Sequence, residues 1–239
     1  MRKFLVWVVS ILLVPTIGFA MGRTGKRVKT TKIPLIQSVK LDPERTVVLR
    51  GAIDSVSGPS IVAQLTSLDA INDDNIFLII NSPGGSVYDG RSIITTIRSI
   101  KSPVICVIDS EAYSMAAVIA AHCNKLYIHK SASIMYHEAS FSFSGTKSIV
   151  KSRVDFLLKY LEDFHRETSE TLNLSLNEFK TKMIKEWWMD ANQSVMAGVA
   201  DVVIEKLVYN FDSSESRNYS PNTSKTIEPE WLRDIEIRM

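Results

Sequence analysis

Cysteine is scarce in this chain: Cys106 and Cys123 are the only two in 239 residues. Neither stands at metal-ligand spacing from another donor, so no zinc or iron–sulfur scaffold is expected, and no metal. Cys106 lies in the apolar stretch Pro103 to Ile108 and Cys123 ends a run of small residues, so both read as buried spectators. An oxidising compartment would permit a bond between them, which spacing alone does not decide. The phosphate-loop pattern G-x-x-x-x-G-K-[ST] is absent, and no G-x-G-x-x-G follows a strand, so no nucleotide or other cofactor is expected. Charge is nearly balanced, at 28 basic against 26 acidic residues. The basic run Arg23, Lys26, Arg27, Lys29 and Lys32 has no aromatic residues within it, which argues against a nucleic-acid partner. No internal repeat is visible.

What is present begins with an export layout. Arg2 and Lys3 precede an apolar run from Phe4 to Val14, Pro15 breaks it, and Gly18-Phe19-Ala20 offers small residues at a cleavage site. The run is short for a transmembrane helix. Residues 1–20 are therefore expected to be a signal peptide and the protein to be exported, periplasmic or secreted. An uncleaved anchor, giving membrane association through residues 1–20, is the alternative. Residues 21–44 are basic and polar with Pro34 and Pro43, and are expected to be a linker or arm. Residues 45–209 carry the folded domain, and 210–239 form a polar, flexible tail rich in Ser, Asn and Glu from Asp212 to Lys225.

Within the domain, strand and helix patterns alternate. "TVVLR" (residues 46–50) predicts a strand, Ser57 onward a helix, and Ile76 to Ile80 a strand buried on both faces. Helical spacing returns over Val87 to Ile100, then a strand over Val104 to Ile108 and a small-residue helix over Ser114 to His122. Short strands are expected at Leu126–His129, Ile134–Tyr136 and Val202–Ile204. A long helix spans Ser148 to Leu172, with Val150, Val154, Leu157, Leu158, Leu161 and Phe164 along one side. Further helices are expected at Leu176–Lys185 and Asn192–Ala197. Such alternation argues an α/β fold with mostly parallel strands.

Chemistry concentrates at three places. "NSPGG" (residues 81–85) follows the buried strand, and its glycines let backbone N–H groups approach a neighbour without a Cβ in the way. "AYSMAA" (112–117) puts Ser114 at the start of a helix, where a serine is by default a cap. The same position favours negative charge, so the Met115 amide and a glycine amide could together hold an oxyanion formed at Ser114. "SIMYHEA" (133–139) supplies His137, a candidate base. His122, His129 and His165 have no motif around them and read as structural residues.

The three motifs, in this order and at these separations, resemble the ClpP family of serine peptidases, the proteolytic subunits of Clp proteases, over Thr46 to Val208. The resemblance implies a ClpP/crotonase-like α/β fold of repeated strand-helix units with a long protruding handle helix over Ser148 to Leu172. It implies Ser114 as nucleophile, His137 as general base, and the amides of Gly85 and Met115 as the oxyanion hole. Counting back from Gly198 and Asp201 places Glu186 where the family has its third, acidic member. Asp190, one turn further if the segment is helical, is the alternative. Peptide or unfolded-protein substrates and homo-oligomeric rings follow from the same resemblance.

Four positions depart from the family pattern: Ser110 for a glycine, Glu111 beside it, Tyr113 for a small residue, and Ala139 for a proline. An exported chain would also lack the cytosolic ATPase that feeds Clp peptidases, so ATP-independent endopeptidase activity is expected. The competing functions are an inactive ClpP-like scaffold, a crotonase-like acyl-CoA enzyme, and a Ser–Lys membrane peptidase; the last needs a lysine base that His137 makes unnecessary.

Overall fold

The computed structural model describes residues 33–209. The expectations for residues 1–20, for the first part of the arm up to residue 32, and for the tail from residue 210 lie outside them. The chain runs β1 (Leu35–Ile36), β2 (Val39–Leu41), a 3-10 turn (Pro43–Arg45), β3 (Thr46–Arg50), α1 (Ser57–Asp69), β4 (Ile76–Ser82), α2 (Val87–Ser99) and β5 (Val104–Tyr113). It continues through α3 (Met115–Ala121), β6 (Lys125–His129), β7 (Ser133–Tyr136), α4 (Lys147–Thr171), α5 (Leu176–Met183), β8 (Trp187–Asp190), α6 (Ala191–Met196), β9 (Val202–Ile204) and β10 (Leu207–Tyr209). This is the mixed α/β architecture expected of the ClpP fold.

The main sheet has the order β1-β9-β6-β5-β4-β3, with every pair parallel. Parallel strands joined by helical crossovers are covered on both faces, which is why β4 and β5 carry apolar runs rather than alternation. Ile76, Leu78, Ile79, Ile80, Val104, Cys106, Val107 and Ile108 are all buried. Strand β5 is twice the usual length and changes partner along its course. Ile105 to Ile108 pair with β6, whereas Glu111 to Tyr113 pair with β7. Strand β7 in turn takes β8 as an antiparallel neighbour. The far end of β5 thus keeps β4 on one side, through Ser82 with Ala112, and exchanges β6 for β7 on the other. That end delivers Ser114.

Two expectations are corrected. The arm expected over 21–44 does not extend to its last residues. Leu35–Ile36 pair with Val203–Ile204, Val39–Leu41 pair with Leu207–Tyr209, and Leu41 is fully buried. The segment joins the sheet because Leu35, Ile36, Val39 and Leu41 have an apolar surface to meet there. Second, Cys106 and Cys123 are not separate spectators: they form a disulfide with a Cα–Cα distance of 5.9 Å, tying β5 to the residue that follows the C-cap of α3. The long helix, whose apolar side the sequence left open between core and partner surface, buries only part of it. Leu157, Leu161 and Phe164 pack on the domain, while Leu158, Phe156 and Ile149 are exposed. At 25 residues and about 1.5 Å per residue, the helix is roughly 37 Å long, and its N-terminal half stands away from the core.

The loops are held by side chains. Arg45 is buried at the C-terminal end of α1, where its guanidinium donates to the carbonyls of Leu68 (2.6 Å) and Asp74 and to Ser102 Oγ (3.2 Å). A helix end leaves carbonyls without partners, and a planar five-donor group satisfies several at once.

Candidate active site

Ser114 stands between β5 and α3 at φ 55°, ψ −123°. Few residues other than glycine occupy that region, because Cβ crowds the backbone there. Its hydroxyl makes no capping bond to α3, so the default role of a serine at this place is not taken up. The conformation is held from two sides. The Ser114 amide donates to the Met135 carbonyl of β7 at 2.8 Å. On the other side lies Gly84, at φ 93°, where an added Cβ would sit 2.7 Å from Ser114 Cβ and 2.6 Å from the Tyr113 carbonyl oxygen. The serine turn is therefore built against a position that has room only for glycine.

Gly85 continues the same contact. The ladder around it runs from the Ile53 amide to the Gly84 carbonyl (2.9 Å) and from the Ser86 amide to the Ile53 carbonyl (2.8 Å). That pattern leaves the Gly85 amide out of the pairing. The Met115 amide opens α3, where no intrahelical acceptor exists for it. The Met115 side chain, buried, lies over Gly90 of α2, whose added Cβ would be 2.3 Å from Met115 Cγ. The third glycine of "NSPGGSVYDG" (residues 81–90) thus makes room for the residue beside the nucleophile, a role its sequence position gave no sign of.

His137 follows β7 and is half-buried. It lines the same cavity as Ser114, whose walls include Val87, Val118, Leu161 and Phe164. Beneath it, Tyr136 is buried, donates to the Ala117 carbonyl at 3.1 Å, and has its phenol pKa raised by desolvation. His165, read from the sequence as structural, also faces this cavity; its ring meets Phe179 edge-on, and burial depresses its pKa, reinforced by Lys180. His122 and His129 lie elsewhere, bonded to Arg98 and to the Glu205 carbonyl.

Glu186 immediately precedes β8 and, like Ser114, has a positive φ, of 54°. The β7–β8 register ends on the pair Tyr136–Trp187, so His137 and Glu186 are the residues that flank that last pair. Its carboxylate accepts from Trp188 Nε1 at 2.9 Å. Ser114 and His137 share a cavity, Glu186 flanks the end of the β7–β8 ladder, and among the described residues no hydrogen bond joins the three side chains, as is common in active sites before substrate enters. Asp190 is in a different place. Residues 187–190 are a strand, not a helical turn, so Asp190 lies about 13 Å along from Glu186 at ~3.3 Å per residue. It pairs with Ser133 and caps α6 in a reciprocal box with Gln193 (2.7 and 3.0 Å). The alternative acid is occupied structurally.

The comparisons agree with the geometry. The family model described as Clp protease matches residues 32–207. A protein named ATP-dependent Clp protease proteolytic subunit 1, from Synechococcus sp., is 33% identical over 166 residues, covering 68% of this chain and 84% of the relative. An ATP-dependent Clp protease proteolytic subunit of Streptococcus mutans is 30% identical over 171 residues, covering 70% and 87%. The chain belongs to the Clp protease family and is a serine-type peptidase.

Proposed function

We propose that the protein is an exported serine endopeptidase that works without an ATP-driven partner, with Ser114 as nucleophile, His137 as general base and Glu186 as the orienting acid. The observation that carries the reading is Ser114 itself. Its hydroxyl is uncapped, its backbone is held in a left-handed conformation, and it faces a cavity shared with His137. In the reaction, Ser114 Oγ attacks the peptide carbonyl while His137 takes its proton, and His137 then protonates the leaving amine. Charge developing on the carbonyl oxygen is met by the amides of Gly85 and Met115, aided by the positive end of α3. Water hydrolyses the acyl-enzyme by the reverse sequence of proton transfers. The apolar cavity walls suit an apolar substrate side chain beside the scissile bond.

Two observations support export. The first twenty residues have a signal layout, and the Cys106–Cys123 disulfide is of a kind that persists outside the reducing cytosol. Association of several copies of the chain is supported by the exposed apolar residues on the N-terminal half of α4, and residues 1–20 would give membrane attachment if uncleaved.

A fluorophosphonate probe tests the mechanism. The wild-type protein is expected to label, Ser114→Ala not at all, and His137→Ala at least 100-fold more slowly. Labelling that survives Ser114→Ala sinks the mechanism, and no labelling of assembled wild type favours an inactive scaffold. Fractionation of the producing cells, with N-terminal sequencing of the product, tests export; the expected first residue is Met21.

A further inference from the structure

Glu186 is surrounded by two aromatic residues that the Ser–His–acid reading leaves without a task. Trp188 is two residues further along, and its indole N–H donates to Glu186 Oε2 at 2.9 Å. Tyr113, the residue before the nucleophile, packs edge-on to the Trp188 ring, with centroids 5.0 Å apart and planes at 67°. The Tyr113 hydroxyl is in turn bonded to Ser133 Oγ at 2.7 Å. Register accounts for the meeting: Tyr113 pairs with Met135, and Met135 with Trp188, so three side chains lie in one row across β5, β7 and β8. His137 and Glu186 flank the last pair of that ladder, Tyr136 with Trp187.

We propose that Trp188 is the positioning residue for the catalytic acid. It holds one carboxylate oxygen of Glu186, leaving Oε1, which has no hydrogen-bond partner among the described residues, to face the His137 imidazole. This rests on the reading of Glu186 as the third member of the catalytic set. A glutamate has one more rotatable bond than an aspartate, and an exposed carboxylate on such an arm loses conformational entropy when it is fixed. A bond from a donor to an ionised oxygen, braced by an edge-to-face ring, opposes that loss. Trp188 and Tyr113 thus act as one unit: Tyr113 fixes the indole plane, and the indole fixes the carboxylate. A fixed carboxylate stabilises the imidazolium that forms when His137 takes the Ser114 proton.

The test is the fluorophosphonate labelling rate of the full chain from pH 5 to 9, which reads the basicity of His137 without needing a known substrate. Trp188→Phe keeps an aromatic ring beside Tyr113 and removes the indole N–H. The expected result is a roughly 10-fold slower limiting rate and an acid-side midpoint lowered by roughly half a pH unit. In a Glu186→Gln background, which is itself slow, adding Trp188→Phe is expected to change neither quantity, because the two residues act through one bond. Glu186→Asp is a second background in which the shortened acid no longer reaches the indole, and Trp188→Phe should again add nothing. If Trp188→Phe has the wild-type rate and midpoint while Glu186→Gln is slow, the proposal falls and the acid assignment stands. An equal loss from Trp188→Phe in both backgrounds likewise overturns it, showing a merely structural ring. Full activity of Glu186→Gln, or no labelling of wild type, overturns the assignment of the acid and the proposal with it.

Discussion

Ser114 holds its left-handed backbone only because position 84 carries no Cβ. A methyl group there would enter within 2.7 Å of Ser114 Cβ and 2.9 Å of the Met115 amide nitrogen, at a φ of 93° that itself disfavours alanine. Gly84→Ala is therefore expected to displace the whole serine turn, reducing fluorophosphonate labelling at least 100-fold and lowering Tm by several degrees. Gly51→Ala is the control: φ is also positive, at 77°, but nothing lies within 4 Å of the added methyl. It should cost about 1–2 kcal/mol of stability and leave the labelling rate unchanged. Equal labelling by wild type and Gly84→Ala would show that the contact is not what shapes the site. At this scale the sequence was informative where chemistry is carried by residue type. Ser114 and His137 stand in motifs whose joint spacing is specific, and they meet in one cavity. What escaped it depends on neighbours distant in the chain: Gly90 under Met115, His165 in the cavity wall, and Trp188 on Glu186. Asp190 misled because four residues, "WWMD", are too few to show whether the period is that of a strand or a helix.

Among the elements, those that were legible bury a continuous apolar face of their own, as β4, β5 and α2 do. Strands β1, β2 and β10 have two or three residues each and exist only by pairing across the chain, Leu35 with Val203 and Leu207 with Val39. Local periodicity cannot report a partner more than 160 residues away. The disulfide was hidden for the same reason, since only the fold brings the end of α3 back to β5. It closes a segment of 17 residues that contains Ser114. By the chain-entropy account, closing such a loop contributes about 3 kcal/mol. Cys106→Ala/Cys123→Ala is expected to lose about 2–4 kcal/mol in urea unfolding, and reductant should lower the wild-type midpoint but not that of the double variant. Thiol titration of the denatured, unreduced protein should find no free thiols. Two titratable thiols, or a midpoint indifferent to reductant, would count against a bond in the native protein.

For the molecule as a whole, the joint that matters is where α4 leaves the domain. His122, at the C-terminal end of α3, is buried there and accepts from Arg98 of α2 at 3.1 Å, so its other ring nitrogen is left to donate to Thr168 Oγ1 of α4 at 3.4 Å. Glu167 of α4 bonds Arg91 at 2.8 Å and Arg98 at 3.2 Å, completing a link among α2, α3 and α4. His122 is thus held neutral among two guanidiniums and one carboxylate. Desolvation first, then Arg98 and Arg91, lower its pKa to about 4, against the opposing pull of Glu167. Because the folded pKa lies below the unfolded one, the unfolded chain binds more protons between pH 6.5 and 4, and stability falls as the pH drops through that window. The size is roughly 2–3 kcal/mol between pH 7 and 4.5. His165, also lowered by burial, acts in the same direction, and the lowered carboxylates Asp54, Asp69 and Glu162 add to the loss at the acid end of the window and below it. Urea unfolding at pH 7, 5.5 and 4.5 should show wild type losing this stability, and His122→Asn, less stable at pH 7, losing much less on acidification. The difference should appear in the urea midpoint with no change of slope, since the same surface is exposed in both proteins. Parallel pH dependence of the two would mean that His122 is charged in the folded state, and that α2, α3 and α4 are joined by the arginine–glutamate pairs alone.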